Sequence, residues 1–233
     1  MKKLLLFLTI LHLFIACNGQ ESNIYSARVE YGLKGKVKEM TSYICKVEDN
    51  QIPKDTTDFI GKYTVTFDEL GNARNLNKLY NIDGFGHREY KIVFSGTGKD
   101  ISFKDSSFLE DGKVVENNYK YVWSDNYNYT ILSEDNDTFS TNISLDKNYR
   151  LIKSISKFNE VQTTEELETI YKNKRIQKII NKMTENRDDE VIERIQIQVV
   201  QECDINGNPT IIYVFNDKSE QKIEQVIYKE YKY

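Results

Sequence analysis

From Leu33 onward, apolar and polar residues alternate in short runs and do not recur every three or four positions. "YTVTF" (63–67) shows the two-residue period cleanly with β-branched and aromatic residues. That is the pattern of a strand buried on one face. "DELGN" (68–72) ends it, with Gly71 free to take positive φ and Asn72 tolerant of it. Breaks of the same composition return at "NIDGFG" (81–86), "SGTGKD" (95–100), "EDGK" (110–113), "SDN" (124–126), "SEDND" (133–137), "DKNY" (146–149), "KNK" (172–174), "ENRDDE" (185–190), "DINGNP" (204–209) and "NDKSEQ" (216–221). Turn residues at such intervals, with strand-like segments between them, predict antiparallel hairpins joined in a meander. Pro53 and Pro209 both fall at or beside loops, where they remove no ladder donor. The expected fold is all-β: a meander of about 12–14 short strands in one sheet, extended or curled as far as a half-barrel.

One stretch reads two ways. In 168–201, Ile176, Ile179, Ile180 and Met183 match one helical face, while Ile195, Ile197 and Val199 alternate with Gln196 and Gln198. "IYKNKRIQKII" also reads as a hairpin with a short polar loop, and strands are favoured over helix. The unit that repeats is then one hairpin: strand, Asp/Asn/Gly turn, returning strand. A single hairpin cannot bury its apolar face, so the units must stack edge to edge.

The start of the chain differs in kind. Lys2 and Lys3 precede an apolar run from Leu4 to Ala16, too short for a bilayer span of about 20 residues and suited to a secretory signal. Ala16–Cys17 resembles a bacterial lipobox, with Phe14 standing where Leu is usual. The resemblance implies cleavage before Cys17, acylation of Cys17, and a protein held on a membrane by its lipid. The expected organisation is residues 1–16 as signal, 17–30 as lipidated Cys and polar tether, and 31–233 as one β domain. Asn18 lacks the Asp linked to inner-membrane retention, and Gln20 and Glu21 resemble a surface-export tether. The expected location is the cell envelope, at the outer membrane.

"YGLKGKVKEMTSY" (31–43), "FDELGN" (67–72), "YNIDGFGHREY" (80–90), "CDINGNPTIIYVF" (203–215) and "IEQVIYKEYKY" (223–233) together resemble uncharacterised Bacteroidetes lipoproteins with degenerate RHS/YD-type β-repeats. The resemblance implies an extended or curled meander in the envelope and brings no catalytic residue with it. Residues 98–170 depart from its regular turn pattern.

Composition excludes several chemistries. A net charge of −4 argues against a nucleic-acid partner. His87 is the sole His after the signal, and no GxSxG elbow accompanies it. One His and two distant Cys cannot build a zinc site. "DINGN" (Asp204, Asn206, Asn208) and "SEDND" (Glu134, Asp135, Asp137) suggest calcium only weakly, because turn capping explains both. No phosphate-cradling Gly loop precedes a helix. Asp188, Asp189 and Glu190 read as a solvated loop, although glycoside-cleaving carboxylates are defined by spatial distance and not by spacing along the chain. No cofactor or metal is expected. Cys45 and Cys203 could pair in an oxidising compartment, or stay as separately buried thiols.

The densest aromatic cluster is "YKYVWSDNYNYT" (119–130). With "SDN" as a three-residue loop, Tyr119, Tyr121, Trp123, Tyr127 and Tyr129 share one face. That face is either a platform for a glycan or other flat or apolar ligand, or the core side of the hairpin, and the polar opposite face favours core. The functional expectation is a non-enzymatic, membrane-anchored envelope module that binds or shields a protein or glycan partner. The alternatives are a carrier of an apolar ligand in a curled sheet and, less favoured, a glycan-acting enzyme.

Overall fold

The computed structural model describes residues 24–48, 51–82, 86–109, 111–187 and 190–233. Fourteen antiparallel strands follow one another around a closed ring: β1 (Glu39–Lys46), β2 (Phe59–Phe67), β3 (Ala73–Ile82), β4 (Gly86–Thr97), β5 (Asp100–Phe108), β6 (Val114–Trp123), β7 (Asn128–Ser133), β8 (Phe139–Leu145), β9 (Leu151–Phe158), β10 (Val161–Lys172), β11 (Arg175–Arg187), β12 (Glu190–Cys203), β13 (Pro209–Phe215) and β14 (Gln225–Lys232). Every neighbour in space is a neighbour in sequence except the closing pair. There β1 runs against β14 over eight residue pairs, from Glu39↔Lys232 to Lys46↔Gln225. The expected meander is therefore present, but the open or half-barrel sheet is corrected to a closed barrel. Closure pairs both edge strands and removes the exposed backbone donors and acceptors that an open sheet presents.

The described residues of the ambiguous stretch are strand on either side of the 173–174 turn, with no helix among them. β10 and β11 meet at Asn173 and Lys174, both at positive φ (51° and 61°), as a two-residue turn matched to strand twist requires.

Three turns at one end share a geometry. In 68–72, 146–150 and 204–208 the Asp amide bonds to the carbonyl four residues on, and the Asp carboxylate accepts the amide of that same residue. The fourth position takes positive φ: Gly71 at 87°, Gly207 at 85° and Tyr149 at 59°. A non-glycine there costs of order 1–2 kcal/mol. The Tyr149 ring offsets this by packing 5.7 Å from Tyr25 and 5.4 Å from Tyr127.

Residues 24–38 lie across this same end. A single-turn helix, α1 (Ala27–Glu30), is capped by Ser26, whose hydroxyl accepts from Val29 N. Arg28 N bonds to Gly71 O in the β2–β3 turn, Lys34 Nζ to Lys174 O in the β10–β11 turn, and Lys34 N to Asn208 Oδ1 in the β12–β13 turn. Tyr25 packs against Trp123, Tyr129 and Tyr149, while Ala27 and Leu33 join Val37, Met40, Val65, Phe67 and Tyr231. A segment that touches β2, β6–β9, β12–β13 and β14 at once must lie inside the ring. It identifies the lumen face of the wall as the one carrying Met40, Val65, Tyr129 and Ile143. Residues 24–30, expected as part of a polar tether, are thus an internal plug.

The other face points outward and carries charge. Lys91–Glu89, Lys104–Glu116 and Lys153–Glu166 pair on exposed positions of β4, β5–β6 and β9–β10. Around β12, β13, β14 and β1 the outer face is covered, with Ile197 and Phe215 buried and Glu220 of the β13–β14 connection paired to Lys178. There residues 47–58 fold back so that Val47 and Ile52 pack on Cys45, Val226 and Tyr228, and Tyr228 donates its hydroxyl to Pro53 O.

Two outcomes test this account. Asn208 is 1% exposed; its side chain accepts from Lys34 N (2.7 Å) and donates to Lys34 O (2.9 Å) and Tyr233 Oη (2.8 Å). Asn208→Ala should cost about 2–3 kcal/mol by denaturant unfolding, because it strands buried backbone groups. Ile205→Ala, at 96% exposed in the same turn, should stay within about 0.5 kcal/mol. The second concerns Glu30, whose carboxylate accepts from Tyr25 Oη (2.7 Å) and Tyr129 Oη (2.8 Å). Burial raises its pKa above 4.5 despite those two donors. A raised folded-state pKa means the folded chain holds the proton more tightly. Stability should therefore rise as pH falls from neutrality through the folded-state pKa, levelling off near 4.5. Glu30→Gln should remove that slope in melting-temperature series, and an unchanged slope would contradict the assignment.

Candidate functional site

The lumen is the concave surface of this molecule. At the plugged end it is filled. Tyr129, Ile143 and Leu145 pack with Tyr25 on one side, and Val37, Met40, Val65 and Phe67 on the other. The opposite mouth is ringed by the connections after odd-numbered strands, and toward it the lumen wall becomes mixed in character.

On β4–β8 the wall is aromatic. Phe94 and Phe103 lie 5.4 Å apart, Phe103 stacks on Tyr119 at 4.8 Å, Tyr119 meets Phe139 at 5.3 Å, and Tyr121 stacks on Tyr129 at 4.7 Å. Four of the five aromatics singled out from sequence, Tyr119, Tyr121, Trp123 and Tyr129, do share one face, and it is the lumen face. Tyr127 does not. The β6–β7 connection spans four residues and not three, so Trp123 pairs with Tyr129 and Tyr121 with Ile131. The fourth residue is accommodated because the Asp125 carboxylate accepts from the amides of both Tyr127 and Asn128. The cluster joins both expected roles. Its inner half, Trp123 and Tyr129, is core against the plug, whereas Tyr119 stays half-buried toward the mouth.

On β14–β5 a continuous cross-strand row reads Lys229, Ser42, Tyr63, Lys78, Tyr90, Ser107. One step toward the plug the row is Tyr231, Met40, Val65, Leu76, Ile92, Asp105; one step toward the mouth it is Ile227, Ile44, Gly61, Tyr80, Arg88. Two lysines therefore stand where strand periodicity calls for apolar residues. Burial lowers the pKa of Lys229, with no opposing charge acting on it. Burial also lowers that of Lys78, and Asp105 offsets part of the effect. Asp105 is itself pushed up by burial. Tyr63 donates to Tyr80 Oη (3.0 Å), and burial first, then that bond, raises its pKa. Ser42 Oγ, Asp105 Oδ1 and Asn181 Oδ1 are buried without a hydrogen-bond partner. Sequence reasoning passed over this row, although its signal is present: Lys229 interrupts Ile227-x-Lys229-x-Tyr231, and Lys78 interrupts Leu76-x-Lys78-x-Tyr80.

On β10–β12 the wall forms a recess of about 560 Å³ lined by Glu165, Asn181, Met183, Arg194, Gln196 and Asn216. Ser154 donates to Glu165 Oε2 at 3.2 Å within it. A groove of about 520 Å³ lies back to back with the recess on the outer face, between Thr164, Glu166, Lys182 and Lys218.

The remaining sequence candidates lie apart from the lumen. His87 is exposed on the outer face with Nδ1 2.9 Å from Asn81 Oδ1. Asp204 spends its carboxylate on Asn208 and on the Tyr233 hydroxyl, and Asp135 accepts from Asn118 N at 2.5 Å, so both serve local backbone geometry. No group of three His, Cys, Asp or Glu suited to a metal ion occurs among the described residues. Cys45 and Cys203 are free. β13 and β14 stand between their strands, about 14 Å along the wall at a spacing of about 4.8 Å per strand, where a disulfide needs α-carbons within about 7 Å. Of the two readings, bridge or separate thiols, the structure has separate thiols. Burial, then Asp55 and Asp58, pushes the Cys45 thiol up. Cys17, Asp188 and Asp189 lie outside the described residues.

Comparison with protein-family models and with curated proteins gives no match. Among solved structures the chain is similar to a porin-like protein from Bacteroides uniformis. The identity is 11%, the TM-score is 0.40, and the match covers 85% of this chain and 99% of that one. At that identity and score the likeness carries no functional argument. The chain's own geometry gives a 14-stranded antiparallel barrel, plugged at one end, with an aromatic and cationic lumen.

Proposed function

We propose that the protein is a non-enzymatic envelope barrel, tethered to a membrane through lipid on Cys17, that holds a small ligand in its one-ended lumen. The observation that carries this reading is the division of the wall: charge outside, aromatics and isolated polar groups inside, and, among the described residues, a plug at one end. A barrel that spans a bilayer turns an apolar band outward, and a charge on that band costs about 2–4 kcal/mol at the midplane. Lys91, Lys104, Glu116, Lys153 and Glu166 occupy exposed outward positions in the body of this wall. Such a wall suits water, so attachment falls to the amino-terminal lipid. A lumen with a packed floor and an open mouth is a cup and not a conduit. Its aromatic wall offers stacking and apolar contact area.

Protein or glycan capture on an external aromatic platform is the second reading. It loses its main support because Tyr119, Tyr121, Trp123 and Tyr129 face inward. A glycan would have to enter the mouth.

Two measurements test the proposal. With Cys17→Ser, the exported protein should leave the membrane fraction, remain soluble without detergent and unfold cooperatively. A protein that aggregates unless detergent is present would contradict a water-facing wall. The neutral dye N-phenyl-1-naphthylamine should brighten on binding the folded protein, and Phe139→Arg, which places a charge among the lumen aromatics, should reduce that signal at least fivefold. Equal brightening in both would place the dye elsewhere.

A further inference from the structure

Lys229 stands uncompensated on the lumen face. It has no ion-pair or hydrogen-bond partner among the described residues. Its cross-strand neighbour on β1 is Ser42, 5% exposed, whose hydroxyl also lacks a partner. Directly opposed residues hold their β-carbons about 4.5–5.5 Å apart, so the Lys229 and Ser42 side chains rise side by side from the wall. Two strands further along the same row stands Lys78, partly neutralised by Asp105. Lys229 is half-buried, and a partly desolvated cation without a partner adds nothing to stability. Polar groups that break the strand's own periodicity without a structural return mark functional positions.

We propose that Lys229 and Ser42 form the head-group site for an amphiphilic anion, a single carboxylate or phosphate on an apolar body, that enters the lumen head first from the open mouth. The proposal rests on the reading of the lumen as a binding cup and names its ligand class. One head-group oxygen takes a charge-assisted bond from Lys229 Nζ, and another accepts from Ser42 Oγ. Lys78 adds long-range attraction that Asp105 weakens. The row toward the mouth is Ile227, Ile44, Gly61 and Tyr80. The Ile44 and Tyr63 side chains close over Gly61, each 3.5 Å from where its β-carbon would stand, so the apolar body lies along Ile227, Ile44 and Tyr80. Toward the plug, Met40, Val65 and Leu76 are packed on residues of the plug and its continuation, so the body must extend toward the mouth.

The experiment is calorimetric titration of the full acylated chain in phosphatidylcholine nanodiscs, blanked against empty nanodiscs, with octanoate, octyl phosphate and octanol. Trp123, the single tryptophan, gives a second signal from within the barrel. The anions should bind at least tenfold more tightly than octanol. Lys229→Met should lose that tenfold for the anions and leave octanol within twofold, with an unfolding midpoint equal to or above the parent's. Ser42→Ala, which removes only the hydroxyl, should weaken the anions about threefold, and Lys78→Met should have a smaller effect than Lys229→Met. The ratio of octyl phosphate to octanoate affinity separates a lipid phosphate source from a free carboxylic acid. Equal binding of octanol and octanoate, or unchanged octanoate affinity in Lys229→Met, would overturn the head-group site and leave the cup standing. Absence of binding by all three probes, together with no response to the neutral dye, would overturn both.

Discussion

Everything in this molecule depends on the pairing of β1 with β14 around an occupied interior. Fourteen strands enclose a space wider than wall side chains alone can fill, since about eight strands is the size at which they suffice. The chain resolves this by folding its own first described residues into one end. Tyr25, Ala27, Val29 and Leu33 supply apolar contacts to walls on both sides of the ring. Backbone bonds to the 68–72 turn and Asn208 bonds to Lys34 hold the segment in register with the rim. Closure removes two sheet edges, and the plug supplies the core that makes closure worthwhile.

The polar groups of the interior follow from the same arrangement. Glu30 is carried inward by the plug and must be satisfied there, which Tyr25 and Tyr129 do with their hydroxyls. Lys78 and Lys229 reach the lumen because their strands present that face. Both are half-buried; Asp105 partly neutralises Lys78, whereas no described residue pairs with Lys229. The same arrangement explains why Asp and Asn matter so much at the rim: each shared turn turns a strand sharply enough to bring its neighbour and the plug within hydrogen-bonding reach.

Much of this architecture was legible from residue pattern. Period-two alternation located the strands, including 195–199, and the repeated Asp-x-x-Gly-Asn breaks located two of the rim turns. Closure was not legible, because the pairing of Thr41 with Glu230 joins the ends of the chain and leaves no local mark. The plug was hidden because Arg28, Glu30 and Lys34 alternate with its apolar residues and read as a solvated tether. The cross-strand partners of Trp123 and Tyr121 are set by one extra turn residue, which shifts the hairpin register. Sequence could not place Cys45 relative to Cys203, as it does not count the strands between them in space. The lumen lysines were visible as breaks in parity, but their meaning required knowing which face was inside.

Amide hydrogen exchange resolved residue by residue along β1 tests closure most directly. In a closed barrel successive amides of β1 point alternately to β2 and to β14, so all those from Met40 to Cys45 should be protected to a similar degree. If every second amide in that run exchanged at the rate of an exposed loop, β1 would be a free edge, and the lumen, the plug and the site built on them would not exist as described.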